Sequence, residues 1–160
     1  MRTIAQYLPD HPFFAGLDEP TLALVAGCAT NVSLAAGEFL FREGDPAARF
    51  FVVRRGRVAI ELHDPAVGTV VIDSADAGDV VGWSWLVPPY RSIFAARASA
   101  ATGVVALDGL CLRGKCEDDA HLGYELMQRV TQVMSERLVA AQVRLLDLYG
   151  ARGATDAATR

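Results

Sequence analysis

Cysteine is scarce in this chain. Cys28, Cys111 and Cys116 are the only three in 160 residues. An odd number at no familiar metal spacing argues against a cysteine-ligated metal centre, and it predicts reduced thiols in a cytoplasmic protein. Histidine is equally sparse: His11, His63 and His121 lie far apart, and no nucleophile–base pair, metal-ligand cluster or glycine-rich phosphate loop accompanies them. The expectation is therefore a non-enzyme with no catalytic residue and no metal. Basic charge is also short, with 15 Lys and Arg against 19 Asp and Glu and a net charge of −4. Nucleic acids and anionic membranes attract basic surfaces, so neither is an expected partner. No run of about 18 apolar residues is present to span a bilayer, and the N-terminus, Met1 to Tyr7, lacks the apolar core of a signal peptide.

What is abundant is hydrophobic residue, 52% of the chain, arranged in short segments. From Asn31 to Asp73 these segments read as strands: Val32 to Leu34, Phe39 to Phe41, Phe50 to Val53, Val58 to Leu62 and Thr69 to Ile72. Each closes at Gly or Pro, as in Ala36-Gly37-Glu38, Arg42-Glu43-Gly44-Asp45-Pro46 and Pro65 to Gly68. Phe50 to Val53 has the composition of a strand buried on both faces. Short strands at this spacing suggest an antiparallel sandwich or roll rather than a parallel sheet. The run Arg54-Arg55-Gly56-Arg57 reads as a solvated hairpin tip or, alternatively, as an anion or partner patch. Upstream, Phe13-Phe14 reads as an anchor into the core, and Asp18 as the cap of a helix through Leu22, Val25 and Cys28.

The most informative stretch is residues 78–92. Gly78-Asp79 is a tight turn, Val80-Val81 a brief strand, and Trp83 to Leu86 one helical turn that Pro88-Pro89 ends. Amides left free after Gly82, the planar fork of Arg91 and the hydroxyl of Ser92 would together make a small anion cradle. A structural loop carrying a surface arginine is the simpler alternative.

This stretch resembles the phosphate-binding cassette of the cyclic-nucleotide-binding domain found in catabolite-activator-type regulators and in regulatory subunits of cyclic-AMP-dependent kinases. There a Gly-Glu pair precedes a short helix, and an Arg and a small residue follow. Gly82 and Arg91-Ser92 match, and Trp83 stands where the family has a ribose-binding Glu. The segments Phe13 to Pro20, Phe41 to Pro46 and Val52 to Val58 are similar to the family as well, so the resemblance covers roughly residues 11–149. It implies an antiparallel, jelly-roll-like β-roll followed by a long C-terminal helix. It also implies ligand contacts from Gly82, Trp83, Ser84, Arg91 and Ser92, with cyclic AMP or another small phosphate-bearing compound as ligand.

After two further strands, Ile93 to Ala98 and Thr102 to Leu107, Asp108-Gly109 opens a short helix. Glu117-Asp118-Asp119 then caps a second helix that is expected to stop at Tyr149-Gly150. Its apolar positions from Val133 to Leu148 step by threes and fours, which suits a homodimer seam or a helix folded back on its own domain. The expected organisation is an N-terminal helical segment (1–30), a roll with the cassette (31–108), dimerisation or lid helices (109–149) and a disordered tail (150–160). A tail of this kind holds no helix-turn-helix, so direct DNA binding is not expected. Two functions remain open: a regulatory domain that senses a small anionic ligand and couples it to the C-terminal helix, or a degenerate domain, with Trp83 filling the ribose site, that binds a protein partner.

Overall fold

The computed structural model describes residues 2–157, with side chains through residue 150. It divides into two compact units, residues 1–124 and 125–160. In the first, helix α1 (Ile4–Tyr7) and a 3₁₀ turn (Leu8–Asp10) lead to α2 (Glu19–Ala26). Strands β1 (Ala29–Leu34), β2 (Phe39–Phe41), β3 (Arg49–Arg55), β4 (Arg57–Asp64), β5 (Gly68–Asp76), β6 (Val80–Val81), β7 (Ala95–Ala98) and β8 (Thr102–Asp108) follow. The unit continues into α3 (Gly109–Asp118) and the start of α4 (Ala120–Ala157).

All strand pairings are antiparallel. One sheet has the order β1-β8-β3-β6 and the other β2-β7-β4-β5. The expected antiparallel β-roll with a long C-terminal helix is what forms. Alternation supplies the core. Phe51 and Val53 of β3, Val58 and Ile60 of β4, and Val104 and Ala106 of β8 form one buried cluster between the sheets. The opposite face of β3 is buried too, which is why its sequence does not alternate. There Phe50 meets Phe13 at 5.2 Å and Trp85 at 5.8 Å between ring centroids.

The helix starts follow the sequence closely. The Asp18 carboxylate accepts from Thr21 N at 2.8 Å, Asp108 from Cys111 N at 2.7 Å, and Asp119 from His121 N at 3.0 Å. The arginines of the β3–β4 hairpin are tied down rather than massed. Arg57 pairs with Asp76 across the strands at 2.6 Å, and Arg54 donates to Asn31 and lies over the Tyr7 ring.

Two expectations are corrected. Cys28 and Cys111 form a disulfide rather than reduced thiols, and Cys116 alone is free. Sequence separation hid the pair. The β1–β8 register sets Ala29 opposite Leu107, and Asp108 N donates to Cys28 O at 2.8 Å, so the end of α2 meets the first turn of α3. The second correction concerns α4, which does not stop at Tyr149-Gly150 and instead continues to Ala157. Gly150 lacks the positive φ that a left-handed stop needs. The small residues after it tolerate the helix, so the backbone of 150–157 is helical rather than a disordered tail. Residues 158–160 of the expected tail lie outside the described residues. Within the second unit, Leu138, Val139, Val143, Leu145, Leu146 and Leu148 are all exposed.

Candidate functional site

The stretch between β6 and β7 is built as its residues dictate. Gly82 has φ +87°, and a Cβ there would lie 3.1 Å from Arg49 O and 3.2 Å from the Phe41 ring. Only glycine meets both conditions at low cost. The 3₁₀ turn Trp83–Trp85 follows immediately. Trp83 is half-buried and Ser84 is buried, but neither anchors the turn. The anchor is Trp85, which is fully buried against Phe50 and Gly109. Its carbonyl accepts from the Arg113 guanidinium of α3 at 2.6 Å, and the same guanidinium covers the Tyr90 ring at 4.2 Å. Arg113 therefore bridges the 3₁₀ turn and Tyr90 from outside the cassette.

Downstream, Tyr90 to Ser92 zip onto the turn Arg42 to Ala47. Ala47 N donates to Tyr90 O at 2.8 Å, Ser92 N to Asp45 O at 2.9 Å, and Gly44 N to Ser92 O at 2.8 Å. This short ladder points Arg91 and Ser92 differently. Arg91 is exposed and its guanidinium donates to Gly44 O at 2.8 Å. Ser92 is buried and lines a cavity of about 190 Å³.

The cavity wall is apolar at Leu40, Phe41 and Phe51 and polar at Asp45, Arg49 and Ser92. Phe41 and Phe51 stack with centroids 6.0 Å apart. Asp45 is committed to the turn, since its Oδ2 accepts from Arg42 N at 2.9 Å. Among the described residues, neither the Arg49 guanidinium nor the Ser92 hydroxyl has a hydrogen-bond or ion-pair partner. An uncommitted cation and hydroxyl over an apolar floor can receive a small anion.

Of the five residues expected at the site, Ser92 lines the cavity and Gly82 abuts its wall. Trp83, Ser84 and Arg91 are not part of the lining. Sequence reasoning missed Arg49, because an arginine at the start of a strand carries no local signal. Its place depends on β3 running beside β6 and Gly82. Among the described residues, no group of three or more His, Cys, Asp or Glu is placed to hold a metal ion. Among the described residues, no helix is long and apolar enough to cross a membrane.

The fold has close structural counterparts. A Geobacter metallireducens GS-15 protein named for cyclic-nucleotide binding has a crystal structure that superposes with a TM-score of 0.77. It is 29% identical and covers 86% of this chain and 99% of its own. The N-terminal domain of a Streptomyces coelicolor A3(2) transcriptional regulator gives a TM-score of 0.66 at 25% identity, covering 83% and 93% of the two chains. The curated cyclic nucleotide-gated ion channel 18 of Arabidopsis thaliana is 38% identical over 47 residues. That match is 29% of this chain and only 7% of the channel's length. The family described as the cyclic nucleotide-binding domain matches residues 31–119, more than half of the sequence. With the roll, the Gly82 turn and the Arg91-Ser92 pair in place, the chain belongs to the cyclic nucleotide-binding domain family.

Proposed function

We propose that this domain is a non-catalytic regulatory sensor for a small anionic ligand, received in the cavity between Phe51, Arg49 and Ser92. The observation that carries the reading is that Arg49 and Ser92 line the cavity with no side-chain hydrogen-bond or ion-pair partner among the described residues, whereas Asp45, the third polar lining residue, is committed to its turn. Arg91, next to Ser92 in the chain but outside the lining, would add a second cation. Its one hydrogen bond to Gly44 O is exposed, so exchanging it for a ligand anion costs little. Binding would be relayed to the C-terminal helix, whose exposed face from Leu138 to Leu148 suits a homodimer seam.

The test is calorimetry with a panel of small anions that includes cyclic AMP and cyclic GMP. Arg49→Ala and Arg91→Ala should each weaken whichever anion binds, and no heat with any of them would refute the reading. The dimer is checked by sedimentation. A monomer at tens of micromolar protein, or a dimer indifferent to Leu138→Glu and Leu145→Glu, would refute that part.

Trp83 favours a second reading, a domain that binds no nucleotide and instead docks a protein. An indole cannot accept hydrogen bonds from a ribose as a carboxylate does. Trp83→Glu separates the two readings. A variant that gains cyclic AMP affinity has a nucleotide site that the indole alone was blocking. A folded variant that gains none favours the docking module.

A further inference from the structure

We propose that the Cys28–Cys111 pair is a reversible thiol–disulfide site whose redox state sets how firmly the cassette is held. The effect on ligand binding rests on the sensor reading above, whereas the effect on the cassette does not.

Position carries the coupling. The bond joins the residue after the end of α2 to the first turn of α3. Two residues before Cys111, Gly109 donates its N–H to Ala48 O at 2.8 Å, and a Cβ on it would lie 3.0 Å from Trp85 Cβ. Two residues after Cys111, Arg113 donates to Trp85 O at 2.6 Å and covers the Tyr90 ring at 4.2 Å. One stretch of α3, Gly109 to Arg113, thus holds the disulfide, the buried Trp85 and Tyr90 together. A second tether to α2, Lys115 Nζ donating to Leu24 O at 2.6 Å, remains when the bond opens. Opening it therefore loosens α3 without releasing it.

The fold also favours reversal. β1 and β8 pair from Ala29↔Leu107 to Leu34↔Thr102, and Asp108 N donates to Cys28 O at 2.8 Å. This ladder holds the two cysteine positions near each other in either state, so the bond re-forms within one molecule. Cys28 is buried and Cys111 half-buried, so an incoming thiolate reaches Cys111 first. Its attack forms a mixed disulfide on Cys111 Sγ and releases the Cys28 thiolate, which takes a proton. The second thiol of a dithiol reductant then displaces Cys111, which is protonated in turn. Two electrons and two protons pass to the protein, and the dithiol leaves as its own disulfide. Cys116 stays out of the exchange. Burial and the Asp119 and Glu117 carboxylates push its thiol up, which leaves little thiolate to compete.

The experiment equilibrates the full chain in mixtures of reduced and oxidised dithiothreitol. Alkylation with mass readout counts thiols, and short pulses of hydrogen exchange read local opening. Free thiols should rise from Cys116 alone to all three cysteines and fall back on reoxidation. Amides of α3 and of Trp85 to Tyr90 should exchange about fivefold faster or more in the reduced state. Ladder amides of β1 and β8 open only with the whole roll and should stay protected in both states. Cys111→Ala should match the reduced parent. In Arg113→Ala the cassette should already exchange fast when oxidised, and reduction should add little.

A pair that stays oxidised in the folded protein overturns the proposal. So does a gain confined to α3, a gain spread evenly over the roll, or a cassette response to reduction undiminished in Arg113→Ala. Calorimetry of both states with cyclic AMP, cyclic GMP and inorganic phosphate completes the test. Tighter binding to the oxidised state, by about threefold or more, is expected. Equal affinities overturn the regulatory link. No heat in either state refutes the sensor reading and leaves the cassette coupling to stand on its exchange data.

Discussion

Lowering the pH from 6.5 to 4 should destabilise this domain through one side chain, His11. The ring is 2% exposed, lies between Tyr7 and Phe14 at centroid distances of 5.7 and 5.9 Å, and accepts at Nδ1 from Phe13 N. Its Nε2 is buried with no partner among the described residues. Burial pushes its pKa down from 6.5 to about 4, and the Asp79 carboxylate offsets this only in part. Between those two values the unfolded chain binds a proton that the folded chain refuses. Stability therefore rises with pH across that window. The contribution is fully present above 6.5, is lost as the pH falls toward 4, and changes no further below. At about 1.36 kcal/mol per pKa unit, the ceiling is about 3 kcal/mol. Relaxation and water entry around the cation bring the expected loss to about 1–2 kcal/mol. Urea unfolding at several pH values, compared between the parent and His11→Phe, isolates the term because the carboxylates titrate in both. The variant should be offset in stability by the lost Phe13 contact, but its curve between pH 6.5 and 4 should be flatter. Parallel curves would refute the assignment to His11.

Reducing the Cys28–Cys111 disulfide, or replacing Cys28 with Ser, should cost about 4 kcal/mol, because the bond closes a separation of 83 residues. The check is the melting temperature with and without a dithiol, and an unchanged value would mean that the bond does not form in the folded protein. Trp85→Ala should cost about 3–5 kcal/mol, whereas Trp83→Ala should cost well under half of that, since only Trp85 is fully buried. Equal losses in urea unfolding would reverse the assignment of the anchor. Arg113→Ala should expose the amides from Trp85 to Tyr90 to faster hydrogen exchange with the rest of the roll unchanged, because the contacts of its guanidinium are to Trp85 and Tyr90. Uniform acceleration across the roll would instead mean that Arg113 supports the whole fold.

Much of the fold could be read along the chain, because its determinants are local. Strand positions follow from Phe50 to Val53 and from Val58 to Leu62, closed by turn residues. Helix starts follow from carboxylates at Asp18, Asp108 and Asp119, whose reach is three residues. The left-handed turn at Gly82 and the helical turn after it were equally legible, since a glycine ahead of a short aromatic run has few alternatives.

Tertiary structure decided the rest. It chose Trp85 over Trp83 as the anchor, because burial depends on Phe50 and Gly109, which are distant in sequence. It paired Cys28 with Cys111 through the β1–β8 register. It committed Arg91 to Gly44 outside the cavity lining and placed Arg49, at the start of β3, in that lining with no side-chain partner among the described residues. Local sequence specifies which residues are available to bind an anion. Which of them keeps a free guanidinium beside a cavity depends on strand order, and strand order is set by pairings between residues far apart in the chain.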